Sequence, residues 1–288
     1  MRLKRIATLV VALIFALAAA FGAAQSARQT TLVIGGDWGD LLTIDPGVSY
    51  EFSGTVVIDN IYERLVKFEG ADLSKIVPGL AESWEITPRD DGGNSITFHL
   101  RDAKFSTGRP VKASDVVFSF DRAIQIAGPG SFLFTDTAGM QVGSTVAVDD
   151  KTVRLDLPEG KNPTIVLNLL TFNIGGVMDQ AEVEPHFQDG DYGQTWLNDN
   201  SAGSGPYKLE RWDRSAQVVL VANPEYPDPG PITRVIMRYM QESNAQRTAL
   251  ESGEIDIAWD YTPEAFQAAA GNPDLKTYKT DTIQMTYL

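Results

Sequence analysis

Residues 96–101, Ile96-Thr97-Phe98-His99-Leu100-Arg101, alternate apolar and polar side chains, whereas residues 113–124, from Ala113 to Ile124, do not. A period of two places Ile96, Phe98 and Leu100 on one face of a half-buried strand. In the second stretch Val116, Val117, Phe120, Ala123 and Ile124 recur at helical spacing, which gathers them on one side of an amphipathic helix. A strand and a helix therefore adjoin in one stretch, and the fold class depends on how often that switch recurs.

It recurs in both directions. Towards the N-terminus, Thr31 to Ile34 is a short strand ending at Gly35-Gly36. Val57, Ile58, Ile61, Tyr62, Leu65 and Val66 then follow a helical period over 56–66, with Ser53 or Thr55 available as cap. Towards the C-terminus, Val146 and Val148, then Val153, Leu155 and Leu157, flank Asp149-Asp150-Lys151 as a β-hairpin. Asn162-Pro163 starts a helix reaching Leu170, with Asn as cap and Pro in the first position. Residues 207–212 and 217–221 form a second hairpin, and Val235, Met237 and Tyr239 alternate in a further strand. Ser243 caps a helix that stops at Gly253, a residue suited to the left-handed C-terminal position. Residues 255–258 return as a strand, and Thr262-Pro263 opens a short helix. Hairpins and strand–helix–strand units together predict an α/β or α+β class with a mixed sheet.

Composition narrows the function. The chain has 288 residues, with 38 acidic against 24 basic side chains and a formal net charge of −14. Its length allows about two domains of ~150 residues. The acidic balance repels phosphate backbones, which argues against nucleic acid as a partner. The absence of cysteine removes disulfides, thiolate metal sites, a cysteine nucleophile and the lipid-bearing cysteine of a lipoprotein. Arg2, Lys4 and Arg5 precede an uncharged run over 6–24 that ends in small residues, which reads as a secretory signal peptide cleaved near Ala24. An uncleaved membrane anchor is the alternative, since the run approaches the length of a bilayer span. The expected location is the periplasm, as a free protein rather than a lipoprotein.

Several motifs then fall in a familiar order. They are Ile44-Asp45-Pro46, Ile61-Tyr62-Glu63-Arg64-Leu65, Pro78-Gly79-Leu80-Ala81-Glu82-Ser83-Trp84-Glu85 and Phe98-His99-Leu100-Arg101. Phe105-Ser106-Thr107-Gly108-Arg109-Pro110-Val111, Ser114 to Phe120, Gly205-Pro206-Tyr207-Lys208 and Ser252-Gly253-Glu254-Ile255-Asp256 continue the series. From Thr31 to Leu288 the chain resembles the dipeptide/oligopeptide-binding proteins of ABC importers, extracellular solute-binding family 5. One departure is Pro227 after Asn223-Pro224-Glu225-Tyr226, where a tryptophan is common; a local packing change is expected.

The resemblance implies an α/β, periplasmic-binding-protein-like (type II) lobe with a mixed β-sheet and an inserted α+β subdomain. It divides the chain into a signal peptide (1–24), a first segment of lobe I (25–65), the inserted subdomain (66–190), a second segment of lobe I (191–281) and the start of a crossover to lobe II (282–288). Family members run well beyond this length. The sequence therefore reads as an N-terminal fragment lacking the second lobe, expected by itself to bind peptide weakly and to self-associate. The implied function is a periplasmic receptor that captures peptides by main-chain pairing in an interlobe cleft. It would deliver them to ABC permease subunits in the inner membrane. The alternatives are another solute on the same scaffold, an oligosaccharide or a metal chelate, or a periplasmic hydrolase or chaperone.

The family's ligand-lining loop maps onto Ser49 to Ser53. Tyr50 and Phe52 are expected as apolar walls and Glu51 as partner of a ligand ammonium, against packing beneath a loop. Trp259 and Asp260 follow the Gly-Glu-Ile-Asp strand at the end that faces the cleft, against a buried Trp and a turn Asp. Phe132, Phe172 and Asn173 belong to the inserted subdomain near the family's side-chain pockets. Competing chemistry is sparse. His99 and His186 read as surface residues, and Ala202-Gly203-Ser204-Gly205-Pro206 lacks the leading glycine and a histidine base of a nucleophile elbow. Asp189-Gly190-Asp191 is too short for a calcium loop. The chain reads as a binding protein, not an enzyme, with no cofactor and no metal.

Overall fold

The computed structural model describes residues 30–278 apart from positions 71, 229 and 260. The signal segment over 1–24 and the crossover over 282–288 lie outside the described residues.

Strand β1 (Thr31–Gly36) leads through a loop to α1 (Phe52–Ile61), followed by β2 (Val66–Glu69) and β3 (Asp72–Pro78). Next come β4 (Ala81–Pro88), β5 (Asn94–Leu100), α2 (Ala113–Ile126), β6 (Thr145–Ala147), β7 (Thr152–Leu157) and α3 (Pro163–Leu169). Short helices α4 (Gln180–Val183) and α5 (Gln194–Leu197) precede β8 (Tyr207–Asp213), β9 (Gln217–Ala222) and β10 (Arg234–Tyr239). The described chain closes with α6 (Ser243–Glu251), β11 (Ile257–Ala258) and α7 (Pro263–Ala270).

Two larger sheets result. The first is mixed, in the order β11-β1-β10-β9-β8, with β1 parallel to both β10 and β11 and antiparallel pairing beyond. The β10–α6–β11 unit is thus a strand–helix–strand crossover that straddles β1. Alternation along β1 splits its side chains between two faces. Leu32 and Ile34 pack with Val218, Leu220, Val235 and Met237 on one side, while Val33 meets Ala249 and Ile255 on the other. The second sheet is antiparallel, in the order β4-β5-β7-β6, and α2 lays Val116, Phe120 and Ala123 against Ile96, Phe98, Val153 and Leu155. The core therefore has two main bodies, one drawn from residues 65–177 and one assembled from residues 38–62 with 178–237.

Three local features differ from the sequence expectations. The helix expected over 56–66 spans 52–61, and Tyr62 is extended at φ −115° and ψ 124°. The apolar residues beyond it are buried, but their backbone pairs elsewhere. The Ile61 carbonyl accepts Gly205 N at 2.8 Å, Arg64 O accepts Leu80 N at 2.8 Å, and Leu65 O accepts Ala81 N at 3.0 Å. Those three carbonyls are tied to the loops at 79–81 and 203–205, and the helix ladder ends. Gly203 is required here, because a Cβ would run into the Ile61 carbonyl. Secondly, the N-cap of α6 is Glu242, and Ser243 is the first helical residue, its hydroxyl accepting Thr262 N at 3.3 Å. Gly253 does take the left-handed conformation, at φ +73°. Thirdly, β2, β3 and β4 have no counterpart in the sequence reading, because β3 and β4 are mostly exposed and lack a clean alternation.

Candidate ligand-binding site

The carboxyl ends of β1, β10 and β11 lie at one edge of the mixed sheet. In open α/β sheets this edge is where ligands gather. Trp259 follows β11 immediately, and its backbone N–H donates to Gly35 O at 2.8 Å. Its indole stands 6.2 Å from that of Trp38, centroid to centroid, at 40°. The two indoles differ in role. Trp38 is buried and its ring N–H donates to the Arg238 carbonyl at 3.1 Å, whereas Trp259 remains 37% exposed. Asp260 lies outside the described residues.

The loop after β1 is then tied to the start of α1 by two carboxylates. Asp40 accepts Ser53 N at 3.2 Å and the Ser53 hydroxyl. Glu51 accepts Leu42 N and Thr43 N through one oxygen, each at 3.2 Å, and Tyr50 N at 2.8 Å through the other. The Glu51 carboxylate thus organises the loop by holding backbone amides. With its neighbours fixed, Tyr50 stands 52% exposed and Phe52 and Leu42 are exposed beside it.

Two segments of the region 66–190 pack here, one on this loop and one beside α1. Phe132, in a short 3₁₀ turn over Ser131–Leu133, meets the Tyr50 ring edge-on at 5.6 Å. Gly130 passes close enough that a Cβ would sit 3.3 Å from the Tyr50 ring. Asn173 is only 6% exposed, and its amide donates to Thr55 Oγ1 at 2.9 Å, which joins it to α1. Phe172 is exposed next to it, with its carbonyl accepting Arg64 Nε at 3.0 Å.

The structure thus brings Tyr50 and Phe132 into ring contact, seats Asn173 against α1 with the neighbouring Phe172 carbonyl on Arg64, and joins Trp259 to this region through the loop after β1. Asn173 and Glu51 face inward and hold the scaffold, while the aromatic rings are left to solvent. Exposed rings on a backbone held by these hydrogen bonds suit an apolar or amphipathic ligand. The sequence reading missed Trp38 and Leu42; Trp38 follows Gly35-Gly36 by two residues, and its ring lies where a Cβ on Gly36 would collide with it.

Other features lie elsewhere. His99 Nε2 is 3.1 Å from Glu85 on an exposed strand face, and the His186 ring stacks on Trp196 at 4.5 Å. Pro227 lines a cavity of about 340 Å³ beside Tyr226. Burial pushes the Glu63 carboxyl in that cavity above its ordinary range, opposed by Arg101 and by the Ser204 hydroxyl at 3.0 Å. No helix among the described residues is long and apolar enough to cross a membrane.

The sequence profile of the bacterial extracellular solute-binding proteins, family 5 Middle, matches residues 75–288. The chain belongs to that family. This family 5 protein is 32% identical over 278 residues to the Probable D,D-dipeptide-binding periplasmic protein DdpA of Escherichia coli (strain K12), a match covering 94% of this chain and 51% of the relative. It is 28% identical over 258 residues to Di/tripeptide-binding protein 4 of Pseudomonas aeruginosa (strain UCBPP-PA14), covering 83% and 47%. Among solved structures, the periplasmic binding protein DppA of Helicobacter pylori in complex with peptide STSA is similar with a TM-score of 0.72 and 27% identity, over 85% of this chain and 49% of that one. The binding protein AgaA of A. tumefaciens R10 in complex with agropinic acid gives a TM-score of 0.70 and 29% identity, over 84% and 46%. The family 5 chain spans about half the length of the curated relatives it matches. Its mixed α/β architecture is that of the periplasmic binding proteins.

Proposed function

We propose that this family 5 protein is a peptide receptor of an ABC importer and that the exposed aromatic face is one wall of its ligand site. The observation that carries this is the set of solvent-facing rings: Trp259 beyond the carboxyl end of β11, Tyr50 and Phe52 at the start of α1, Phe132 against Tyr50, and Phe172 beside Asn173. A peptide of arbitrary sequence offers the same N–H and C=O groups at every residue, so a receptor reads main chain by strand-like pairing. Ring surfaces then supply adaptable walls for variable side chains. Asp260, next to Trp259, is a polar partner for such a ligand. In this reading residues 25–65 and 191–281 form one lobe and 66–190 its inserted subdomain; the two core bodies support the division in outline, although Met178 and Val183 pack with the lobe. The receptor works in the periplasm, exported by the segment over 1–24. It hands its cargo to permease subunits in the inner membrane after closing around it. No catalytic step is assigned to it.

A second reading keeps the receptor and changes the solute, because the structural relative AgaA holds agropinic acid. Native mass spectrometry of the receptor isolated from its own cells separates the two. Peptides as the principal cargo support the first reading, and an opine, sugar or metal chelate replaces it with the second. Chemical conversion of bound cargo would sink the receptor function altogether.

A further inference from the structure

A cavity of about 590 Å³ lies between the outer side of α2, strand β6 and the chain around α4, and shares no residue with the aromatic face. Part of its wall is apolar: Val117, Phe118 and Phe187, the two rings stacked with centroids 6.0 Å apart and 23° between planes. Two carboxylates, Asp121 and Glu184, stand in the same wall. Asp121 accepts the Gly143 amide at 3.0 Å, and Glu184 accepts the Gln180 side-chain amide at 3.0 Å. Among the described residues neither pairs with a cationic side chain, so each keeps acceptor capacity. The Arg122 guanidinium, also on the lining, is consumed by Asp45 and the Tyr192 carbonyl. Burial holds the Asp121 carboxyl above its ordinary range, offset in part by the Gly143 amide.

A further observation is independent of the carboxylates. Thr145 lies on the cavity lining with 2% of its surface exposed, and among the described residues its hydroxyl has no hydrogen-bond partner. It pairs across the β6–β7 ladder with the core residue Leu155, which sets both side chains on the face that carries α2. A buried hydroxyl left without a partner is unfavourable, and such orphans call for an occupant.

We propose that this cavity is a second ligand site, for a small organic cation whose ammonium or guanidinium group is carried on an apolar body. The charged end meets Asp121 and Glu184, the body lies on the stacked rings of Phe118 and Phe187, and Thr145 supplies an additional hydrogen bond. An anion is repelled by the two carboxylates. An inorganic cation such as calcium needs six or more oxygen ligands, which an aromatic wall does not offer.

Phenethylammonium is a suitable probe, with phenylacetate as the isosteric anion, titrated into the isotope-labelled chain while backbone amides are followed by NMR. Phenethylammonium is expected to shift the amides of Gly143, Thr145 and Ala147 saturably, and phenylacetate to leave them in place. The paired change Asp121→Asn with Glu184→Gln should weaken binding about tenfold, the loss of charge assistance. Thr145→Val should weaken binding while leaving the melting temperature equal or higher, since it removes an orphan hydroxyl. No saturable shift at those amides up to about 10 mM probe, the weak end of measurable affinity, overturns the proposal. An equal response to phenylacetate, or unchanged affinity in the folded paired variant, also overturns it. Should the paired variant fail to fold, Thr145→Val decides, and unchanged affinity there overturns the site.

Discussion

Asp45 and Arg122 face each other across 77 residues of sequence in a bidentate ion pair, with Nη1–Oδ1 at 2.8 Å and Nη2–Oδ2 at 2.7 Å. Both side chains are 1% exposed. The Asp-Pro loop is thereby pinned to α2, and the remaining donors are also used: Arg122 Nε reaches Tyr192 O at 2.7 Å and Gly47 N reaches Asp45 at 2.9 Å. The same burial, together with Asp45, drives the Tyr62 hydroxyl well above its ordinary range.

Breaking one half of this pair strands a charge in the interior. Asp45→Ala or Arg122→Met alone should cost about 3–5 kcal/mol. The double replacement should cost less than the sum of the two single ones, because no unpaired charge is left. Urea unfolding of the four species gives the coupling directly, and strict additivity would show that the pair is energetically idle.

Glu63 sets a pH dependence of opposite sign to an ordinary ion-paired carboxylate. Its burial, opposed by Arg101 and Ser204, raises the folded-state value above the usual 4.5. The folded chain therefore holds this proton to higher pH than the unfolded chain, so the contribution falls as pH climbs from about 4.5 through the raised value. Glu63→Gln should flatten that part of the stability curve. Thermal melts across this range, wild type against variant, check it; identical slopes would contradict the assignment.

The two neighbouring indoles should separate cleanly by mutation. Trp259→Ala removes an exposed ring and should weaken peptide binding by about 1–3 kcal/mol with a small change in melting temperature. Trp38→Ala removes a buried ring and its bond to Arg238 O, and should cost about 3–5 kcal/mol of stability. Calorimetric titration with a dipeptide and thermal unfolding of both variants distinguish the roles. A collapse of Trp259→Ala stability with unchanged affinity would reassign that ring to the core.

Two glycines should respond differently to alanine. Gly253 sits at φ +73° with open space around its Cβ position, so Gly253→Ala should cost roughly 1–2 kcal/mol. Gly203→Ala would drive a methyl into the Ile61 carbonyl and break the contact between the 203–205 loop and the end of α1. Soluble yield and far-UV circular dichroism should show Gly253→Ala near wild type and Gly203→Ala largely unfolded.

Local patterning made much of this fold legible. Strands β5 and β7 alternate because one face is buried, and α2 shows its apolar stripe because only one side packs on the sheet. Asn162 and Thr262 announce their helices by accepting Thr164 N at 2.9 Å and Ala265 N at 3.3 Å, local bonds that residue type alone can foretell. The ordered motifs carried the family, and in the fold some of them meet: Gly79, Leu80, Ala81 and Gly205 donate their backbone N–H groups to the carbonyls of Ile61, Arg64 and Leu65.

What tertiary structure decided are matters of distant neighbours. Ile61, Tyr62, Leu65 and Val66 have a helical period and are buried, yet the carbonyls of Ile61 and Leu65 belong to loops from elsewhere in the chain, so period alone overran the helix. Strands β3 and β4 are held by pairing while mostly exposed, and place too few side chains on the core, Ile76, Ala81 and Trp84, to show a clean alternation. At the site, composition cannot distinguish Trp38 from Trp259, or an exposed Tyr50 from a core ring. Exposure depends on what packs there from far along the chain. Sequence reads Glu51 as a partner for a ligand ammonium and gives no sign of the three backbone amides that the fold places on it. Sequence determines each residue's chemistry and local period, and only the assembled chain determines which groups are already satisfied and which still face solvent.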